Sequence, residues 1–304
     1  MSSNSITTHL RLFDSGGWVL PWQVAHQEGF FAEEGISVEF TEGERTEEAL
    51  RQSTADLTKS YKETNLCAGN IDVYSACEWG IIKRVVELQS GKIIGNRRTV
   101  GMVHTIYVRE NSGLNTPKDL AGVPIAVNFN SGSYFAAYEA LENHGIPRNQ
   151  IKLIHFGAPI KRAEALFTAQ VEASSLMEPY STLAQVKGFR PLLEYPGRGG
   201  WVGSEKLDKP TLEAFYRAVA KAVDKINQQP EKYKEQLVNI LVKDGIDAQT
   251  IDKVRAAIKV PRYLPPEPLS REGFDSTYRW MVERELIAPN ATYEQVVDTQ
   301  LVSA

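Results

Sequence analysis

"IAVNFNSGSYFAAYEALENHG", residues 125–145, decides the fold class. Ile125, Ala126 and Val127 read as a short apolar strand. Asn128 to Ser133 form a small polar turn, and a helix runs from about Tyr134 to Gly145, where a glycine C-cap ends it. The polar groups at the helix start have two readings. Asn and Ser cap helices. Backbone N–H groups and hydroxyls at a helix N-terminus also bind anions. The stretch alone leaves both open.

Outward from this unit the same alternation continues. Strands are expected at 9–14, 36–40, 71–76, 100–109, 124–127, 151–156 and 171–176. Helices fall between them: one from Pro21 to a glycine stop at Gly29 or Gly35, a mostly helical 45–69, then 78–91, 133–144 and 159–169. Strands alternating with helices predict a parallel α/β architecture. Residues 208–304 read as mainly helical, with a proline-rich connector at "VPRYLPPEPLS", residues 260–270.

Composition narrows the function. The chain has 304 residues, enough for two compact domains. A net charge of −4 without a long basic run argues against nucleic-acid binding. Cys67 and Cys77 are the only cysteines, and their spacing is not that of a metal site. No metal or nucleotide motif occurs, so no cofactor is expected. No apolar run reaches the roughly 18 residues of a membrane helix. The start, "MSSNSITTHLRLF", lacks the features of a signal peptide. As written, this predicts a cytoplasmic chain; removal of a leader would make it periplasmic.

Four segments, in order, carry a resemblance: "PWQVAHQEGFFAEEGISVEF" (21–40), "NLCAGNIDVYSA" (65–76), "LNTPKDLAGVPIAVNFNSGSYFAAYEALENHGI" (114–146) and "AEALFTAQVEASSLMEPYSTLAQVKGFRPL" (163–192). Together they resemble the nitrate, sulfonate and taurine solute-binding proteins of ABC importers. The resemblance implies a two-lobed type II periplasmic-binding-protein fold with a ligand cleft between the lobes. It implies crossings near 104–110 and 195–203, one lobe from 1–103 plus 203–304, and the other from 104–202. It implies reversible binding of a small organic molecule, anionic or aromatic, and an ABC permease as partner if the chain is exported. The same fold hosts enzymes, including pyrimidine-precursor synthases, desulfinases and dihydroxyphthalate decarboxylases. The alternative reading is therefore a cytosolic decarboxylase, desulfinase, hydrolase or isomerase of a small aromatic or heterocyclic acid. Gly16 and Gly17 stand where a desulfinase-like cysteine would be expected, and 43–69 is longer than the family's usual short helix.

Within that frame the ends of strands supply the candidates. Asn130, Ser131, Gly132 and Ser133 are expected to hold a carboxylate or sulfonate. Trp18 follows the first strand, as a ligand wall or a core residue. Arg45, after the second, is a bidentate partner for a carboxylate or part of a solvated charge cluster. "YSACEWG", residues 74–80, brings Tyr74, Cys77, Glu78 and Trp79 to the third strand end. If the protein is an enzyme, Cys77 is nucleophile or proton donor and His104 or Glu78 the base. Glu178 sits in a segment that resembles the family's cleft-lining step. Arg198 and Trp201 are expected to close over the ligand, with glycines 197, 199 and 200 as hinge points. His9, His26, His144 and His155 are expected at the surface or in caps.

Overall fold

The computed structural model describes residues 8–101 and 103–301, apart from the side chains of Gly17 and Trp18. Ten strands are present among them: β1 (Thr8–Asp14), β2 (Ile36–Glu42), β3 (Val73–Cys77), β4 (Lys92–Arg97), β5 (His104–Arg109), β6 (Pro124–Val127), β7 (Lys152–His155), β8 (Ala173–Met177), β9 (Phe189–Tyr195) and β10 (Gly199–Gly203). They form two five-stranded sheets, ordered β2-β1-β3-β10-β4 and β7-β6-β8-β5-β9. The architecture is α/β, and the two sheets repeat one plan. Three strands run parallel, and the fourth is antiparallel to both of its neighbours.

That fourth strand is an exchange. β5 reaches the second sheet directly after β4 of the first, and β10 returns directly after β9. The crossings are therefore 98–103 and 196–198. The return ends sooner than the sequence suggests, because all of Gly199–Gly203 is paired with β3 and β4. Gly199 and Gly200 thus lie inside a buried strand and are not hinge points. A Cβ on Gly200 would stand 2.4 Å from Ile81 Cδ1, so the close approach of the helix above requires glycine.

β3, β8 and β10 are buried along their whole length. Helices cover both faces, as parallel sheets require. Helix Lys209–Gln228 packs on Leu20–Gln27, and Arg271–Val282 packs on Glu78–Leu88, both against the first sheet's half. Ala248–Ala257 instead touches Tyr180–Val186 of the second half. The expected 45–69 helix is broken into Glu47–Gln52, a single turn at Leu57–Lys59, and Tyr61–Cys67. Ser53 takes φ +40°, which ends the first piece, and Asp56 caps the turn by accepting from the Thr58 N–H. The expected 100–109 strand begins only at His104, and β4, β9 and β10 are strands that the apolar pattern does not announce.

Candidate functional site

The carboxyl ends of the parallel strands of both sheets face one another. Between them lies a cavity of about 460 Å³, lined by Phe13 after β1, Cys77 at the end of β3, Ser131–Ser133 after β6 and Met177 at the end of β8. His104 joins them because β5 runs antiparallel, which brings its first residue to the same edge. A second space of about 390 Å³ adjoins it, sharing Phe13, Ser15, Gly43, Leu50, Pro159 and Met177.

The 128–133 turn does something neither sequence reading foresees. Ser131 Oγ donates to the Asn128 carbonyl at 2.6 Å, and Ser133 Oγ accepts the Asn128 N–H at 2.9 Å. The two hydroxyls lie 2.9 Å apart. The rest of the turn reaches into the first half. Asn128 Nδ2 donates to Ser53 Oγ at 2.9 Å, and Asn130 Nδ2 donates to the Thr54 and Ala55 carbonyls at 3.0 and 3.3 Å. Thr54 Oγ1 returns a bond to the Phe129 carbonyl at 2.6 Å. The neighbouring turn adds more. His155 Nδ1 accepts the Phe129 N–H at 3.0 Å, which leaves Nε2–H to donate to the Arg51 carbonyl at 2.7 Å. The Ala158 N–H donates to the Leu50 carbonyl at 2.7 Å. Segment 50–55, attached by sequence to the first sheet, is thereby clasped to the strand-end turns of the second. His155, expected at the surface or in a cap, is one of the fasteners.

Cations surround the cavity. Lys62, Arg84 and Arg162 all line it. Arg84 pairs with Glu63, and both side chains are 1% exposed. Arg162 is 3% exposed. Its Nη1 donates to the Ser175 carbonyl, while its Nε has no hydrogen-bond partner. Among the described residues neither Lys62 nor Arg162 forms an ion pair. Burial draws the Arg162 guanidinium down to about 10. Burial, with repulsion from Arg84, draws the Lys62 ammonium down to about 8. His104 falls to about 3, through burial first and then the nearby Arg162 and Arg97, so its ring is neutral. Burial pushes the Cys77 thiol up, against the pull of Arg84. Cys77 Sγ accepts the Gly80 N–H at 3.2 Å, as the N-cap of helix Glu78–Leu88. Gly132 fits between these two groups, since a Cβ there would meet Cys77 Cβ at 3.1 Å and His104 Nε2 at 3.2 Å.

Of the residues singled out in the sequence, Cys77, His104, Ser131, Gly132 and Ser133 meet around the larger cavity, and Arg45 and Glu178 line the smaller. Arg45 is committed to Asp244, and Glu178 accepts from Thr182 Oγ1 at 2.8 Å. Asn130 spends its side chain on the clasp. Four others pack elsewhere for clear reasons. Tyr74 lies in the core, with Lys62 Nζ 5.5 Å from its ring centre. Trp201 stacks in the core between Trp22 and Phe215, at 5.7 and 5.6 Å. Trp79 is buried beneath the Arg198 guanidinium, 4.4 Å from its ring centre. Arg198 also lies 3.4 Å from Glu78, which accepts from Thr277, so this group braces the return crossing instead of covering a ligand. The Trp18 side chain lies outside the described residues. Cys67 and Cys77 are free thiols, the first exposed and the second buried. Among the described residues no cluster of His, Cys, Asp or Glu could hold a metal, and no helix is long and apolar enough to cross a membrane.

Lys62, Arg84 and Arg162 escape a sequence reading, although two of them leave a trace. Arg84 lies three residues after Ile81 and four before Leu88, and Arg162 precedes Ala165 and Leu166 at the same spacings. Each is a cation on the apolar stripe of its helix.

No protein-family model matches the chain, and no curated protein matches it. Solved structures do. The alkanesulfonate-binding protein SsuA from Xanthomonas axonopodis pv. citri, bound to MOPS, superposes with a TM-score of 0.76 at 16% identity, over 97% of this chain and 99% of that one. The periplasmic aliphatic sulphonate-binding protein SsuA from Escherichia coli gives 0.73 at 18% identity, over 97% and 99%. The chain has the periplasmic-binding-protein fold. The desulfurization enzyme DszB, in complex with biphenyl-2-sulfinic acid, also shares it, with a TM-score of 0.60 at 14% identity over 97% of both chains. At these identities the likeness concerns the fold, and function has to be argued from the cleft.

Proposed function

We propose that the protein binds a small organic anion, of the carboxylate or sulfonate class, in the cleft between its two sheets. The observation that carries this is Arg162. A buried guanidinium without a carboxylate partner is costly, and it lines a cavity large enough for a small ligand. An anion there would restore the missing charge and could engage the planar fork through two bonds. The likeness to sulfonate-binding proteins supports the same chemistry.

In this reading the lobes are built on the two sheets, residues 1–103 with the chain after β10, and 104–195, and they close on the ligand. Closure excludes water and strengthens each polar contact. A transport role would put the protein outside the cytoplasmic membrane, delivering its ligand to an ABC permease. The enzyme alternative rests on Cys77 and His104. Burial keeps the first a thiol and the second a neutral imidazole, so the pair lacks an activated nucleophile. Binding is therefore the favoured reading.

Titration calorimetry against linear alkanesulfonates and carboxylates tests it. Binding by the wild type and a loss of about ten- to a hundredfold in Arg162→Gln are expected, the scale of a charged hydrogen bond. A folded Arg162→Gln protein that binds as well as wild type would remove the basis of the proposal.

A further inference from the structure

The unpaired cations of the cavity do not come from one side. Arg162 belongs to helix Pro159–Phe167, which follows β7 in the second half. Lys62 belongs to helix Tyr61–Cys67, which precedes β3 in the first. The carboxylate next to Lys62, Glu63, is committed to Arg84. Lys62 Nζ has a carbonyl, that of Ser75 at 3.4 Å, and the face of Tyr74, neither of which carries a full charge. Lys59 at the rim is paired with Asp56 at 3.3 Å. The one carboxylate lining this cavity is that of Glu44, and it is exposed.

A single negative charge bound between the halves would satisfy Arg162 or Lys62 and leave the other enclosed without a counter-charge. In a closed cleft that residual charge is expensive, because the interior screens it far less than water does. Two negative groups on one ligand remove the difficulty. We propose that the cognate ligand is a dianion, with one anionic group at Arg162 and the other at Lys62, so that it bridges the two halves. This deepens the anion-binding reading and rests on it.

The test is calorimetry with the wild-type protein and two probe series: the aliphatic dicarboxylates from succinate to suberate, and the monocarboxylates of matching chain length. At the best length the dicarboxylate should bind at least tenfold more tightly than its monocarboxylate partner. Lys62→Gln should collapse that ratio to within about twofold, and Lys62→Arg, which keeps the charge, should largely restore it. Circular dichroism checks that each variant is folded. A ratio near one in the wild type, with both series lost in Arg162→Gln, would overturn the bridge and leave single-anion binding intact. A ratio that survives Lys62→Gln would overturn the assignment to Lys62. Absence of binding for every probe would overturn both proposals.

Discussion

Gly157→Ala tests whether the clasp takes part in closure. Gly157 lies in the turn between β7 and helix Pro159–Phe167, at φ +87°. A Cβ there would stand 2.3 Å from the Leu50 carbonyl oxygen and 2.4 Å from that of Arg51. Both obstacles are backbone, so no rotamer change relieves them. Segment 50–55 would have to retreat by about 1 Å to reach ordinary contact. Such a shift would stretch the Ala158 N–H bond to Leu50 from 2.7 Å to beyond hydrogen-bonding range, and weaken the 2.7 Å His155 bond to Arg51 in the same way. At about 0.5–1.5 kcal/mol per bond, the closed arrangement loses about 1–3 kcal/mol, a drop in ligand affinity of about 5- to 150-fold. The positive φ adds about 1–2 kcal/mol of strain to the turn itself. That strain burdens open and closed forms equally, so it lowers the melting temperature and leaves the dissociation constant alone. Calorimetry with the tightest anion of the panel reads the first effect, and thermal melting the second. X-ray scattering with saturating ligand should show a larger radius of gyration than wild type. A variant that melts earlier yet binds and compacts like wild type would refute the idea that segment 50–55 is part of the closing contact.

Two further outcomes follow from the cavity lining. His104 has its folded pKa depressed from 6.5 to about 3, so its contribution to stability is present above pH 6.5 and is lost as the pH falls towards 3. Between pH 7 and 5 the wild type should lose about 2 kcal/mol more than His104→Gln in urea unfolding, and parallel curves would contradict that burial. Cys77→Ser keeps a side-chain acceptor for the Gly80 N–H, so anion affinity should stay within about twofold of wild type. Detection of product from a bound acid with wild type, and its disappearance in Cys77→Ser by mass spectrometry, would instead establish the catalytic reading.

Much of the fold is legible because parallel strands buried on both faces leave continuous apolar runs, as at Ile125–Val127. The exchanged strand β10 leaves none. "GGWVG" reads as a loop, yet its glycines are there because Ile81 and the Gly95 carbonyl leave no room for a side chain. Whether a glycine marks a loop or a crowded strand depends on neighbours distant in sequence. The same holds for the cleft. The sequence singles out Asn128–Ser133, but capping and anion binding are both local explanations, and the partner of this turn lies some 75 positions earlier. Arg84 and Arg162 stand on apolar stripes, where a long side chain that extends its charge to solvent would give the same pattern. Only the fold distinguishes a charge that reaches water from one that is enclosed.

That enclosure bears on how the cleft would work. Arg162 acts from one half, and Lys62 and Arg84 from the other, upon the same cavity. Bringing the halves together without a ligand concentrates like charge where solvent is being removed, and the depressed values of Lys62 and His104 register that field. The clasp at 50–55 supplies hydrogen bonds in favour of closure, and the cations oppose it. An anion reverses the sign of the second contribution without altering the first. Binding and closure are then coupled through charge: the ligand has greater affinity for the closed form because only there do cations from both halves reach it, which is the differential interaction a population shift requires.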